Sequence, residues 1–186
     1  MNDKPATASL EGYIYPDTYR IYTGDSLNVL IQKAIDELGQ VAAANDLRAQ
    51  FAARGLSFYQ GVTLASIIIK EVGNADDQEK VASVFYNRLA AGMPLGSDPT
   101  FQYAYNQGLC NSNSTNCDSA YNTYLNTGLP PGPIANPNLS ALQAVANPAD
   151  TPYLFFVSGD DGTTYFATTQ EEQDTNISLY CHQLCQ

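Results

Sequence analysis

A carboxylate closing an otherwise hydrocarbon face is the first feature of this sequence with chemical meaning. The stretch from Gly61 to Gly73 reads Gly-Val-Thr-Leu-Ala-Ser-Ile-Ile-Ile-Lys-Glu-Val-Gly. Its pattern predicts a short helix with Thr63 as N-cap and Gly73 as a left-handed stop. Leu64, Ile67, Ile68 and Glu71 then fall at i, i+3, i+4 and i+7, on one face. Burying a carboxylate with such a face is costly unless it is paired or protonated. Desolvation raises a carboxyl pKa, and a raised pKa is what a general acid needs near neutral pH. The competing reading is a helix-end Glu whose head reaches water.

Other catalytic chemistries find less support. The only histidine, His182, is wedged between Cys181 and the end of the chain, which leaves a serine or cysteine nucleophile without a base. No Gly-rich loop precedes a helix, so nucleotide chemistry is unsupported. Carboxylate acid–base work remains, with Glu71, Glu11, Asp17 and Asp98 in motif-like segments. A glycosidase of the usual kind needs two flanking carboxylates. A lyase that uses an internal hydroxyl as nucleophile can work with one.

The cysteines form two close pairs, Cys110 with Cys117 around a polar loop and Cys181 with Cys185 near the C-terminus. Loop and tail positions suit disulfides in an oxidising compartment, and the local pairings are favoured among the three possible. A zinc site drawing on both pairs, or on Cys181, His182 and Cys185, is the rival, although neither pair has C-x-x-C spacing. A reduced, structural set is the third option. No metal and no cofactor is expected.

The formal net charge of −11 argues against a nucleic-acid partner and a polybasic membrane contact. With 44% apolar and 15% charged residues over 186 positions, the chain suits one folded domain. No apolar run approaches the ~20 residues of a membrane span, and the polar start has no signal-peptide pattern. The protein is therefore expected to be either cytosolic or a soluble piece of something longer. Residues 1–9 are expected to be a flexible N-terminal tail.

The elements that must position Glu71 follow from the periodicity. Leu10 to Tyr22, with four tyrosines, reads as extended, split or pushed to an edge by Pro16. Those tyrosines suit a sugar groove, or serve simply as strand residues. Asp25 or Ser26 caps a helix carrying Leu27, Leu30, Ile31, Ala34, Ile35 and Leu38, with a break near Gly39 or Asn45 before Leu47 to Arg54. After the Glu71 helix, another starts at Asp76 or Asp77 and runs to about Ala91, bringing Asn87 and Arg88 to its far end. From Met93 to Asn138 the periodicity lapses, and this long segment reads as an ordered binding rim. Leu139 to Ala146 is a short helix, and Tyr153 to Ser158 pairs with Thr163 to Ala167 across the Gly159–Gly162 turn. A last helix, capped by Thr168 or Thr169, carries Ile177, Tyr180, Cys181 and Leu184. The predicted class is α+β: a helical scaffold with a short β-hairpin and a long ordered loop region forming a groove.

The ordered set of short motifs resembles a known family. It comprises Leu10-Glu11-Gly12-Tyr13-Ile14-Tyr15-Pro16-Asp17-Thr18-Tyr19, Leu64-Ala65-Ser66-Ile67 with Lys70-Glu71, and Val81-Ala82-Ser83-Val84-Phe85-Tyr86-Asn87-Arg88-Leu89. It continues with Ser97-Asp98-Pro99-Thr100, Tyr121-Asn122-Thr123-Tyr124, Gly128-Leu129-Pro130-Pro131-Gly132-Pro133-Ile134 and Thr151-Pro152-Tyr153-Leu154-Phe155-Phe156-Val157. Together they resemble the catalytic domain of the endolytic murein transglycosylases, the MltG or YceG-like family, over nearly the whole chain, 10–186.

The resemblance implies a bacterial cell-wall enzyme acting outside the cytoplasmic membrane. Its anchor and LysM-like domain would precede this segment, and the anchor would be its one membrane contact. It implies cleavage between N-acetylmuramic acid and N-acetylglucosamine within glycan strands, leaving 1,6-anhydro ends. The family's catalytic Glu falls on Glu71; many members carry a second Glu two residues earlier, where this chain has Ile69. Tyr121, Asn122, Tyr124 and Asp98 are the candidates for the substrate rim, with Thr100 and Glu11 beside them. Asn87 and Arg88 either touch peptide or lactyl groups or serve as helix-end structure. The expected partners are peptidoglycan strands and cell-wall synthases, with the protein a monomer. A hydrolysing muramidase and a non-catalytic glycan-binding module are the alternative functions.

Overall fold

The computed structural model describes residues 3–184. Its elements in order are α1 (Leu27–Ala44), α2 (Leu47–Ala53), α3 (Phe58–Glu71), α4 (Ala75–Ala90), α5 (Asp98–Asn106), α6 (Leu139–Ala146), β1 (Phe155–Ser158), β2 (Thr164–Ala167) and α7 (Gln170–Tyr180). The class is thus mixed α+β and mostly helical. The sheet among the described residues is one antiparallel hairpin, in register Phe155–Ala167 to Ser158–Thr164.

α3 is the centre of the core. From Gly61 to Ile68 every residue is buried, wider burial than the one-face stripe expected. A helix apolar on all sides must be enclosed on all sides, and α2, α4, α5 and α6 each pack against α3. Each large side chain so enclosed contributes about 1.5–3 kcal/mol of burial. The α2 contact is close: a Cβ on Gly61 would lie 2.2 Å from the Phe51 ring, so only glycine admits that ring.

The helix also begins a turn and a half earlier than its apolar run suggested. Ser57, not Thr63, is the N-cap, in a capping box with Gln60. Thr63 is buried mid-helix, its hydroxyl donating to Tyr59 O at 2.8 Å. At the other end Val72 is extended and Gly73 is not left-handed. The chain leaves α3 straight into the Asn74 cap of α4, whose side chain accepts from Asp77 N–H at 2.8 Å.

Leu10 to Tyr22 is not extended strand but a series of turns and irregular chain. Pro16 removes a ladder donor, and the segment instead inserts Tyr13, 1% exposed, against Phe58 and Tyr59. Residues 3–9 lie against the same region: Tyr59 N–H donates to Asp3 at 2.7 Å, and Ala8 packs on the core. α1 runs unbroken through Gly39 and stops at Asn45.

In the 93–138 segment one helix, α5, went unforeseen. Its signal is Ser97-Asp98-Pro99, a cap residue with proline in the first turn. The rest is irregular and pinned, by the Cys110–Cys117 disulfide and by Asn122 and Asn126 amides donating to backbone carbonyls. The expected α6, hairpin and Thr169-capped α7 are present, although α7 ends at Tyr180, before Cys181 and Leu184. Cys181 is disulfide-bonded; its expected partner Cys185 lies outside the described residues.

Candidate active site

Glu71 is the last residue of α3, carried to the edge of the core by the helix that fills it. The residue keeps partial contact with solvent, but its carboxyl group is enclosed, and desolvation is the largest influence on its acidity. Burial raises its pKa from the ordinary 4.5 to about 7. The Ser97 hydroxyl donates to Glu71 Oε1 and opposes that rise. The negative charge of Asp98 adds to it and the Arg88 guanidinium subtracts. Near neutral pH the group is thus divided between acid and base, the condition for a proton-transfer catalyst.

Ser97 was not singled out by sequence reasoning, and its placement is elaborate. It is buried between α3 and α5 at the cap position of α5. Its N–H donates to Thr123 Oγ1 at 3.0 Å, and its carbonyl accepts from Thr100 Oγ1 at 2.6 Å. The two threonine hydroxyls are 2.9 Å apart, and Gly96 N–H donates to Thr123 O at 3.0 Å. Gly96 has φ +60, and a Cβ there would sit 3.0 Å from the Arg88 guanidinium. Glycine lets the chain turn Ser97 toward Glu71 with the arginine alongside.

The other foreseen residues separate by exposure. Asp98 and Tyr124 face solvent and are joined, Tyr124 O–H donating to Asp98 at 2.6 Å. Burial and the Asp98 charge push the Tyr124 phenol well above its usual range, so it stays a neutral donor. Tyr121 is half-buried, 5.0 Å from the Tyr103 ring, and burial, with a smaller contribution from the Glu11 charge, raises both phenols. Thr100 and Asn122 are wholly buried. Asn122 donates to Thr115 O and Cys117 O and accepts from Tyr124 N–H, so it ties the cysteine loop to the Tyr124 backbone from within the interior.

Asn87 and Arg88 are committed to backbone. Asn87 donates to Thr151 O and Tyr153 O, both at 2.9 Å. Arg88 donates to Leu154 O and Leu95 O, both at 2.6 Å, with its charge over the Phe155 ring. Both side chains thus tie the end of α4 to the backbone at 95 and 151–154. Among the described residues no group of three or more His, Cys, Asp or Glu is placed to hold a metal ion.

Thr123→Val tests the support under Ser97. It keeps the shape but strands the Ser97 N–H in the interior, so stability should fall by about 1–3 kcal/mol. Denaturant unfolding of the variant beside wild type measures this, and an unchanged midpoint would remove Thr123 from the scheme.

Residues 1–178 match the model of the YceG-like family. The chain is 38% identical over 174 residues to an endolytic murein transglycosylase of Bacillus subtilis, covering 92% of this chain and 48% of that protein. It is 33% identical over 188 residues to one of Streptococcus pneumoniae, covering 96% of this chain and 33% of that protein. The crystal structure of a YceG-like protein from Listeria monocytogenes superposes with a TM-score of 0.82 at 36% identity, over 94% of this chain and 57% of that one. The chain thus spans about half or less of the length of these curated relatives.

Proposed function

This chain belongs to the YceG-like family, and from that premise we propose that it is the catalytic domain of an endolytic peptidoglycan lytic transglycosylase. It would cleave the bond between N-acetylmuramic acid and N-acetylglucosamine inside glycan strands and leave 1,6-anhydro-N-acetylmuramic ends. The observation that carries this reading is one desolvated carboxyl group with a pKa raised to about 7, on the helix at the centre of the fold. The curated relatives bearing the name endolytic murein transglycosylase support it.

Protonated Glu71 donates its proton to the glycosidic oxygen as the C1–oxygen bond breaks and the muramic ring gains oxocarbenium character. The N-acetylglucosamine portion leaves as an alcohol. The Glu71 carboxylate then takes the proton from the C6 hydroxyl of the same muramic residue while that oxygen bonds to C1. Glu71 ends protonated and no water is consumed. The Ser97 hydrogen bond holds the carboxylate in one orientation through both transfers. Exposed Asp98 and Tyr124, with half-buried Tyr121, form the rim against which the sugars would lie, where aromatic faces and a fixed phenol suit ring C–H and hydroxyl groups. No helix among the described residues is long and apolar enough to cross a membrane. Action at the outer face of the cytoplasmic membrane, through an anchor in a longer chain and beside cell-wall synthases, belongs to the same proposal.

Asp98 gives a hydrolytic reading its one foothold, as a second carboxylate close enough to influence Glu71. Product mass separates the two. Uncrosslinked glycan strands treated with the protein should yield anhydro-ended fragments, each lighter by one water than the hydrolysis product. Reducing ends in their place would make the protein a muramidase, and intact strands would leave a binding module.

A further inference from the structure

Asn87 and Arg88 spend side-chain donors on backbone carbonyls, and a cleft starting at Lys70 offers other groups for contact with a substrate branch. The face of α5 carrying Pro99, Gln102, Tyr103 and Asn106 lies at i, i+3, i+4 and i+7. With Lys70 from α3 and Ile134 from the proline-rich loop it lines a cleft of about 200 Å³. Lys70 immediately precedes Glu71, Pro99 follows Asp98, and the Tyr103 ring meets Tyr121. The cleft is therefore built from residues next in the chain to Glu71 and Asp98, and its Tyr103 wall touches Tyr121 of the proposed rim.

Its lining joins one cation to amide side chains. The protein has eight basic residues against nineteen acidic ones. The ion pairs among the described residues are Arg48 with Asp3 and Lys80 with Asp77, so Lys70 belongs to neither. It presents an exposed ammonium beside the exposed side chains of Gln102 and Asn106, which offer amide donors and acceptors. The cleft is smaller than the ~300–1,000 Å³ of a pocket that encloses a whole ligand. That size suits a narrow branch of a larger substrate, and the ammonium selects one bearing a carboxylate.

We propose that this cleft is a subsite for the carboxylate-bearing stem peptide attached to the muramic residue. The Lys70 ammonium would receive a peptide carboxylate, Gln102 and Asn106 would bond peptide amides, and Tyr103 and Ile134 would supply the apolar wall. The inference rests on the peptidoglycan reading above but not on the cleavage chemistry. Binding of the branch fixes the muramic ring relative to Glu71 at a distance from the reacting bond, a use of remote contacts for orientation.

The test is calorimetric binding to the Glu71→Gln protein, using uncrosslinked glycan strands of equal length with and without their stem peptides. Peptide-bearing strands should bind about fivefold more tightly, the upper range for an exposed ion pair. Adding Lys70→Met should erase the preference, and Lys70→Arg should retain it. Equal binding of the two strands by Glu71→Gln, binding of neither, or a preference that survives Lys70→Met would each overturn the subsite. Wild type that never cleaves, combined with a Lys70-dependent preference, would sink the transglycosylase reading and leave the subsite standing.

Discussion

Glu71→Gln should reduce the cleavage of uncrosslinked glycan strands by about 10³-fold while leaving the protein folded, because it removes the group proposed to move both protons. The substitution keeps volume and an oxygen that can accept from Ser97, so the loss would report on the proton and not on packing. It should also stabilise the protein in a pH-dependent way. The folded-state pKa of Glu71 is raised, from 4.5 to about 7. Below pH 4.5 the carboxyl is protonated in both folded and unfolded chains and exerts no effect. Between pH 4.5 and 7 the unfolded chain ionises while the folded one holds its proton, so wild type loses stability as pH rises. Above pH 7 the full penalty is present, at most about 3 kcal/mol. The melting temperature of Glu71→Gln should therefore exceed that of wild type at pH 8 and match it at pH 4. A variant that is inactive but no more stable at pH 8 would argue that the carboxylate is not desolvated. A variant that still cleaves would remove Glu71 from catalysis.

The second large effect concerns pH and rate. If protonated Glu71 is the acid, kcat/KM should fall about tenfold per pH unit above pH 7, reaching about 100-fold by pH 9. The Ser97 hydroxyl bonds the charged carboxylate and holds the pKa down. Ser97→Ala should therefore move the alkaline limb to higher pH while lowering the maximum rate, since the carboxylate loses its orientation. Profiles of both proteins between pH 5 and 9 give the result. A limb near pH 4–5 would mean an ordinary carboxylate, and a limb unmoved or shifted to lower pH in Ser97→Ala would mean that the hydrogen bond does not act on the reacting group.

The sequence made Glu71 visible because a carboxylate in register with Leu64, Ile67 and Ile68 violates the pattern of its own helix. It marked α6 and the hairpin because their periods of 3.6 and 2 are complete within a few residues and end at Asn-Pro or Gly-Asp-Asp-Gly signals. The start of α3 was misplaced because Thr63 is a good cap by type, while the capping box of Ser57 and Gln60 lay upstream of the apolar run. α5 was missed because nine residues give too few repeats of a period, although its Ser-Asp-Pro start carried the signal.

What the chain alone determined is local: which segments coil, where they stop, and which acid sits on a hydrophobic face. These follow from interactions between residues a few positions apart. What only the tertiary structure decided is the environment of that acid. Ser97 stands 26 positions from Glu71 and is set by Thr123, a further 26 along. Thr100 and Asn122 prove to be buried supports, and Arg88 a clamp on Leu95 and Leu154. A side chain's exposure and hydrogen-bond partners depend on which distant backbone arrives beside it, and no spacing within one helix encodes that arrival. The raised pKa belongs to this second class, because desolvation is a property of the whole enclosure and not of the residue.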